Sequence, residues 1–286
     1  MAIRRLRHFT LLLLLVFVTG CSSTTFVYNR LDFFIPWYLG DYVDLDREQK
    51  AYLDELLQPF LAWHRAEELP QYLQVLDDID ARLNGPISSA DVGDTLDDVE
   101  QAWLRVESRA LDWLLALGAD LSDEQIAEFI EELRDKQVEY EEKYLTRSEK
   151  EYREDAEENL RDNLQDMLGR LDKSQRARVV AASGELQRSD AVWLQERAEW
   201  IDLLEQLLMR ESGWQDAVRQ ASRNREERQS ALYRQTYEHN MGVVYAAVAD
   251  VLNTRSTRQD ERLRRELNKY REAIETLIAQ GLDEAA

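Results

Sequence analysis

Beyond residue 20 the chain carries two histidines, His64 and His239, the side chains best suited to moving protons near neutral pH. His64 stands in Trp63-His64-Arg65-Ala66-Glu67-Glu68. On a helix, Glu67 and Glu68 fall three and four residues further on, within reach of the imidazole. A hydrolase could use such a group, with His64 as base, a glutamate to orient it and Arg65 to hold an anion. The same histidine also extends the apolar series Leu53, Leu57 and Phe60, where a hydrogen-bonded packing histidine is the commoner occurrence. Packing is therefore the expectation for His64. His239 has no second histidine at i+4 to complete a zinc pair. The patterns HExxH, GxSxG, GxGxxG and GxxxxGK[ST] are missing from the sequence. Adjacent acids such as Glu131-Glu132 and Glu141-Glu142 are expected to be solvated helix faces without the loop geometry of a calcium site. No catalytic residue, metal or cofactor is expected.

A different chemistry is written at the start. Arg4, Arg5 and Arg7 precede the apolar run Leu11 to Val18, which is short for a membrane span but suited to a secretory leader. Val18-Thr19-Gly20-Cys21 follows. Small residues before a cysteine resemble the bacterial lipobox, whose cysteine is acylated and becomes the mature N-terminus. This implies lipidation at Cys21 and a signal peptide over residues 1–20. Cys21 is the only cysteine in 286 residues, so an exported form has no thiol for a disulfide. Ser22 follows it. In enterobacterial-type lipoproteins an aspartate there resembles an inner-membrane retention signal, so serine implies the outer membrane.

Composition narrows the class of partner. The chain has 36 basic and 57 acidic residues, and removing Arg4, Arg5 and Arg7 with the leader leaves a net charge of −24. Such acidity excludes a phosphate-binding surface and hence nucleic acid. With 44% hydrophobic residues and 9% aromatics the chain can fold. Only 10 Gly and 4 Pro, among abundant Leu, Ala, Glu, Gln and Arg, point to an all-α protein.

The elements follow from local signals. Residues 22–25 read as a short tether, spanning at most ~14 Å when extended. The segment 26–43 holds Phe26, Tyr28, Phe33, Phe34, Trp37, Tyr38 and Tyr42. These rings could form a collar at lipid headgroups or a lid on the body, and burial is the commoner fate. Leu45-Asp46-Arg47-Glu48-Gln49, Leu121-Ser122-Asp123-Glu124-Gln125 and Leu171-Asp172-Lys173-Ser174-Gln175 repeat one phrase, in which Asp or Ser caps a helix and Gln closes a capping box. The copies lie 76 and 50 residues apart, which excludes a fixed-period solenoid. Ser148 with Glu151 makes another box. Breaks are expected at Pro70, at Asn84-Gly85-Pro86, after Gly118, near Ser212-Gly213, between Asn253 and Thr257, and at Gly281. The result is an elongated bundle of roughly eight antiparallel helices over residues 46–281, behind a lipidated, aromatic-rich segment over 21–45. Residues 122–170 carry a net −9 and residues 219–271 a net +5, so the C-terminal helices are expected to lie against the acidic middle of the chain.

Two families share these features. Trp63-His64-Arg65 followed by Glu68-Leu69-Pro70-Gln71-Tyr72, with the L-x-x-x-Q phrase, "YLTRSEKEYRE" and "LGRLDKSQR", resembles a family of uncharacterised proteobacterial lipoproteins along essentially the whole mature chain. That resemblance implies an envelope location but no activity. The phrase also resembles the Leu-Thr-x-x-Gln of periplasmic stress chaperones, although Asp46, Ser122 and Asp172 stand where those have Thr and this chain lacks their basic concave face. The expected role is an interaction or scaffolding lipoprotein, anchored in the lipid bilayer through acylated Cys21 and facing the periplasm. Trp37, Trp63, His64 and Arg65 are its candidate surface for a protein partner. A holding chaperone and a hydrolase near His64 are the alternatives.

Overall fold

The computed structural model describes residues 21–285 in backbone and 24–282 in side-chain environment. The expected leader, residues 1–20, lies outside the described residues. Among those described the chain is all-α, with no strand. Helix α1 (Cys21–Tyr28) and α2 (Leu31–Leu39) precede α3 (Arg47–Trp63), a π-helical turn (His64–Glu68) and α4 (Leu69–Arg82). Then come α5 (Ser89–Asp120), α6 (Asp123–Leu145), α7 (Glu149–Leu168), α8 (Lys173–Glu185) and α9 (Asp190–Leu207). The chain ends with α10 (Trp214–Arg223), the single turn α11 (Arg225–Arg228), α12 (Ala231–Asn253) and α13 (Thr257–Ala285). Residues 22–25, expected to be an extended tether, are helical, and Thr24 is buried.

The repeated phrase does start helices, as its chemistry dictates. Asp46, Ser122 and Asp172 each accept from the backbone N–H of their glutamine, and each glutamine side chain accepts from the cap residue's own N–H. A fourth box opens α13, where Ser256 and Gln259 exchange the same two bonds. The sequence pattern concealed it because Arg255 stands where the other copies have leucine.

The glutamines then pair across the fold. Gln49 and Gln125 donate to each other's side-chain oxygens at 2.9 and 2.7 Å, and Gln175 and Gln259 do so at 3.2 and 2.9 Å. In all four the remaining amide proton goes to the carbonyl two residues before the partner's cap. Gln49 thus reaches Asp120, Gln125 reaches Asp44, Gln175 reaches Thr254 and Gln259 reaches Arg170. Each amide therefore closes its own helix start and clasps another, leaving no donor unmet. Gln175 is 1% exposed, a depth at which an unpaired amide costs about 1–3 kcal/mol.

Each clasp adjoins a core. The first core gathers Leu31, Leu53, Leu57, Phe60, Val106, Trp113, Ile274 and Leu277. The second gathers Leu83, Val92, Leu164, Leu168, Leu171, Val179, Val251, Leu263 and Leu267. Helix α13 serves both, the second through Leu263 and Leu267 and the first through Ile274 and Leu277. A smaller aromatic cluster of Tyr140, Tyr144, Trp193 and Leu194 joins α6 to α9.

Several expected boundaries move, each for a tertiary reason. One long helix was expected after Asp172, but Leu186 turns extended and splits it into α8 and α9. The opened backbone of Gln187 is taken up by Asn240, whose side chain accepts from its N–H and donates to its carbonyl, both at 2.8 Å. Asn253 grips Ile87 in the same way at 2.8 and 2.7 Å. Gly118 caps nothing and lies within α5, beside the Trp214 ring. Gly281 likewise lies inside α13.

The charge expectation divides. Helix α13 does pack on α7, through Leu263 and Leu267 against Leu164 and Leu168. Arg262 donates to the Asp166 carbonyl of α7 at 3.3 Å, but the ion pairs of the α13 arginines with other helices go elsewhere: Arg264 with Asp80 at 2.6 Å and Arg271 with Asp77. Arg225 and Arg219 reach Glu107 and Asp112. All four carboxylates precede the acidic stretch, because apolar packing and not net charge sets the register of α13 on α7.

If the amide clasp is a coupled unit, Gln175→Ala, Gln259→Ala and the double variant will show non-additive losses. Urea unfolding is expected to give about 1–3 kcal/mol for each single change and little more for the pair. Additive losses would mean that each glutamine acts alone.

Candidate functional site

The residues singled out for chemistry gather at the π turn, and the cause is local. Pro70 sits in the first turn of α4, so its ring removes an N–H and would crowd the carbonyl four residues back. The preceding turn widens and the Leu69 N–H reaches the His64 carbonyl. Pro70 was expected to break the helix. It widens one turn instead, and α3 runs into α4 without a loop.

The widened turn faces inward with polar groups. His64 is 1% and Glu68 0% exposed. Tyr28 Oη lies 2.8 Å from His64 Nδ1 and Tyr72 Oη 3.2 Å from Nε2. The imidazole is thus bracketed by two phenols, accepting from one and donating to the other in its neutral form. Burial, and secondarily the positive Arg65, hold the His64 pKa down at about 4. Burial pushes the Tyr28 phenol up to about 12, and Tyr72 rises too. Glu68 accepts from Arg105 Nε at 3.0 Å and Nη2 at 2.6 Å, a two-pronged pair that compensates a fully enclosed carboxylate. Gln71 adds a donor at 3.3 Å.

The shell of this network ties both ends of the described chain together. Arg65 Nη2 donates to Asn29 Oδ1 at 3.0 Å, and Asn29 Nδ2 donates to Gln280 Oε1 at 2.9 Å. The Arg65 stem lies across Gly281, where an added Cβ would come within 2.4 Å of its Cδ. The guanidinium also lies 5.5 Å from the centre of the Tyr28 ring. So α1, the π turn and the end of α13 meet at one point.

Trp63, His64 and Arg65 therefore belong to one feature, but they do not share a surface. Trp63 is half-buried beneath the Arg109 guanidinium, 5.6 Å from its ring centre. His64 is sealed, and Arg65 is half-buried over α13. Trp37 lies on α2, outside the network, and is 62% exposed. Of Cys21 only the backbone is described, as the first residue of α1. Glu67 points outward and Glu68 takes Arg105, so neither orients the imidazole. His239 meets the Glu185 carbonyl at 3.0 Å.

Chemically, a base must come within hydrogen-bond distance of the proton it removes. Both His64 nitrogens are occupied by phenols and solvent does not reach the ring. Two open depressions lie away from it, beside Glu149, Arg153 and Val180 and beside Asp172 and Ala177. Among the described residues no three metal-ligating side chains converge. What the geometry does do is fasten the first helix to the body. Sequence reasoning had placed His64 at the edge of the stripe. Its partner Tyr28 and Arg65's partner Asn29 lay in the aromatic segment for which burial as a lid was the commoner expectation, but no local signal named His64 or Arg65 as what they would meet.

The histidine gives a signed pH dependence. In the unfolded chain His64 titrates near its ordinary value of about 6.5, and in the fold near 4. Between these values the unfolded chain holds the extra proton, so stability falls as pH drops through the window. The loss from this residue approaches about 3 kcal/mol at the lower end. Melting temperatures of the native chain and of His64→Gln, compared from pH 7.5 to 4, are expected to show the steeper acid fall in the native chain. Parallel curves would contradict the assignment.

No curated protein and no solved structure matches this chain. A family known only as a family of unknown function, DUF6279, matches residues 41–237, which cover α3 to the first turns of α12 and include the π turn, the Gln49–Gln125 clasp and Gln175. The match extends over more than half of the sequence, and the chain belongs to this family.

Proposed function

We propose that this protein is a lipoprotein of the cell envelope, attached to the periplasmic face of the outer membrane through acylated Cys21. It acts there as an interaction or scaffolding module and not as an enzyme. The lipobox-like Val18-Thr19-Gly20-Cys21 supports the anchor. The observation that carries the reading is the lack of slack after it: α1 starts at Cys21, Thr24 is buried, and Tyr28 and Asn29 are bonded into the body at His64, Arg65 and Gln280. An enzyme acting on soluble substrates gains nothing from such a mount. A module that presents a surface at a set height and angle does. Among the described residues no helix is long and apolar enough to cross a membrane.

The partner is a protein of the envelope, met by the exposed side of the π turn around Trp63. Two experiments test the reading. Metabolic labelling with an alkyne palmitate is expected to mark the native chain and not Cys21→Ser, and an unmarked native chain would remove the anchor. A photo-crosslinking residue at Ala62 or Ala66, both exposed, is expected to trap a discrete envelope protein in living cells. Illumination that yields no adduct at either position would contradict the partner surface.

A further inference from the structure

The segment after Cys21 was expected to be either a collar or a lid, and its two faces divide those roles. Tyr28, Leu31 and Ile35, at 5%, 2% and 8% exposure, point into the first core. Phe26, Phe33 and Trp37 stand 60%, 60% and 62% exposed. Phe33 and Trp37, four residues apart, share one face of α2, and Phe26 stands on α1 before the Asn29–Arg30 junction. Arg30, at that junction, sets its guanidinium 5.8 Å from the Phe26 ring centre. The other exposed apolar side chains are more scattered: Val180 and Met209 stand apart, Val138 and Leu145 are seven residues apart on α6, and Leu232 and Tyr237 lie on α12. Three large rings bare within twelve residues, directly after Cys21, form a different kind of surface.

We infer that Phe26, Phe33 and Trp37 seat in the interfacial layer of the bilayer as a second contact beside Cys21, and that they set the tilt of the body on the membrane. The place of the chain before this segment names the occupant. The apolar run Leu11–Val18 and Cys21 bring the polypeptide to the bilayer whether the leader is cleaved and the cysteine acylated or the leader is kept. Phe26 follows five residues later on the same helix, about 8 Å along its axis. Aromatic rings favour the headgroup region, where an apolar body meets a wet boundary. The anchor holds them there at high effective concentration, so modest intrinsic affinity suffices. The acidic body disfavours anionic lipid, and the surface suits zwitterionic headgroups. The inference rests on the proposed envelope location but not on acylation itself.

The test uses the full chain, expressed in a bacterial host and reconstituted into phosphatidylethanolamine–phosphatidylcholine vesicles. A bimane probe is placed at Phe33→Cys, Trp37→Cys or, as a distant exposed control, Val180→Cys. Shallow spin-labelled lipid is expected to quench the probes at 33 and 37 several-fold more than the control, with iodide doing the reverse. Trp37→Ser is expected to weaken lipid quenching at 33 while flotation with vesicles persists. Probes at 33 and 37 open to iodide in protein that floats would overturn the inference and leave the anchor standing. Shielding from both quenchers would overturn it in favour of a protein, or a second copy of this chain, covering the face. Protein that fails to float would instead overturn the anchor.

Discussion

Four glutamine side chains constrain this fold more than any other group. A helix start leaves backbone donors without intrahelical partners, and the capping box meets them locally. Here the same amides have protons to spare, and each spends one on its counterpart and one on the backbone just upstream of the counterpart's cap. The outcome is that α3 cannot begin independently of α6, nor α8 of α13. Residues 76 and 84 positions apart are brought to the same place by satisfying polar groups. Hydrophobic burial drives the helices together but is non-directional. The clasps say which end of which helix meets which.

The second constraint acts at the other end of α3. A proline in the first turn of α4 opens one turn, and the widened turn turns His64 and Glu68 into the body. Every polar atom so enclosed finds a partner: phenols for the imidazole, a guanidinium and an amide for the carboxylate. Those partners come from α1, α4 and α5, and the shell adds α13. The network around the histidine expected to pack thus fastens the first described helix to the body. The family match places α3, the π turn and α4 in the shared part of the chain, while α1 and α2 lie before it.

Legibility in the sequence followed the range of the interaction. The all-α class and the caps at Asp46, Ser122, Ser148 and Asp172 were readable, because capping is settled within four residues. The fourth glutamine box, at Ser256, was hidden by Arg255, and the pairing of the glutamine boxes was invisible because nothing local names a partner. The split at Leu186 has no proline to announce it, and Asn240, over fifty residues away, stabilises it. Gly118 and Pro70 were taken at their local meaning as stop and break. In the fold one lies mid-helix beside Trp214 and the other widens a turn. His64 could be placed on a stripe from spacing alone, but its burial depended on Tyr28 in the aromatic segment, whose docking position no local pattern specifies.

Hydrogen exchange tests the clasped helix starts most directly, because first-turn amides are where isolated helices fray. The account predicts that amides in 46–52, 122–128, 172–178 and 256–262 exchange only through the opening that releases the cores of α3 and α13. Exchange of these four segments as rapid as that of the single-turn helix α11, while the cores stay protected, would contradict it.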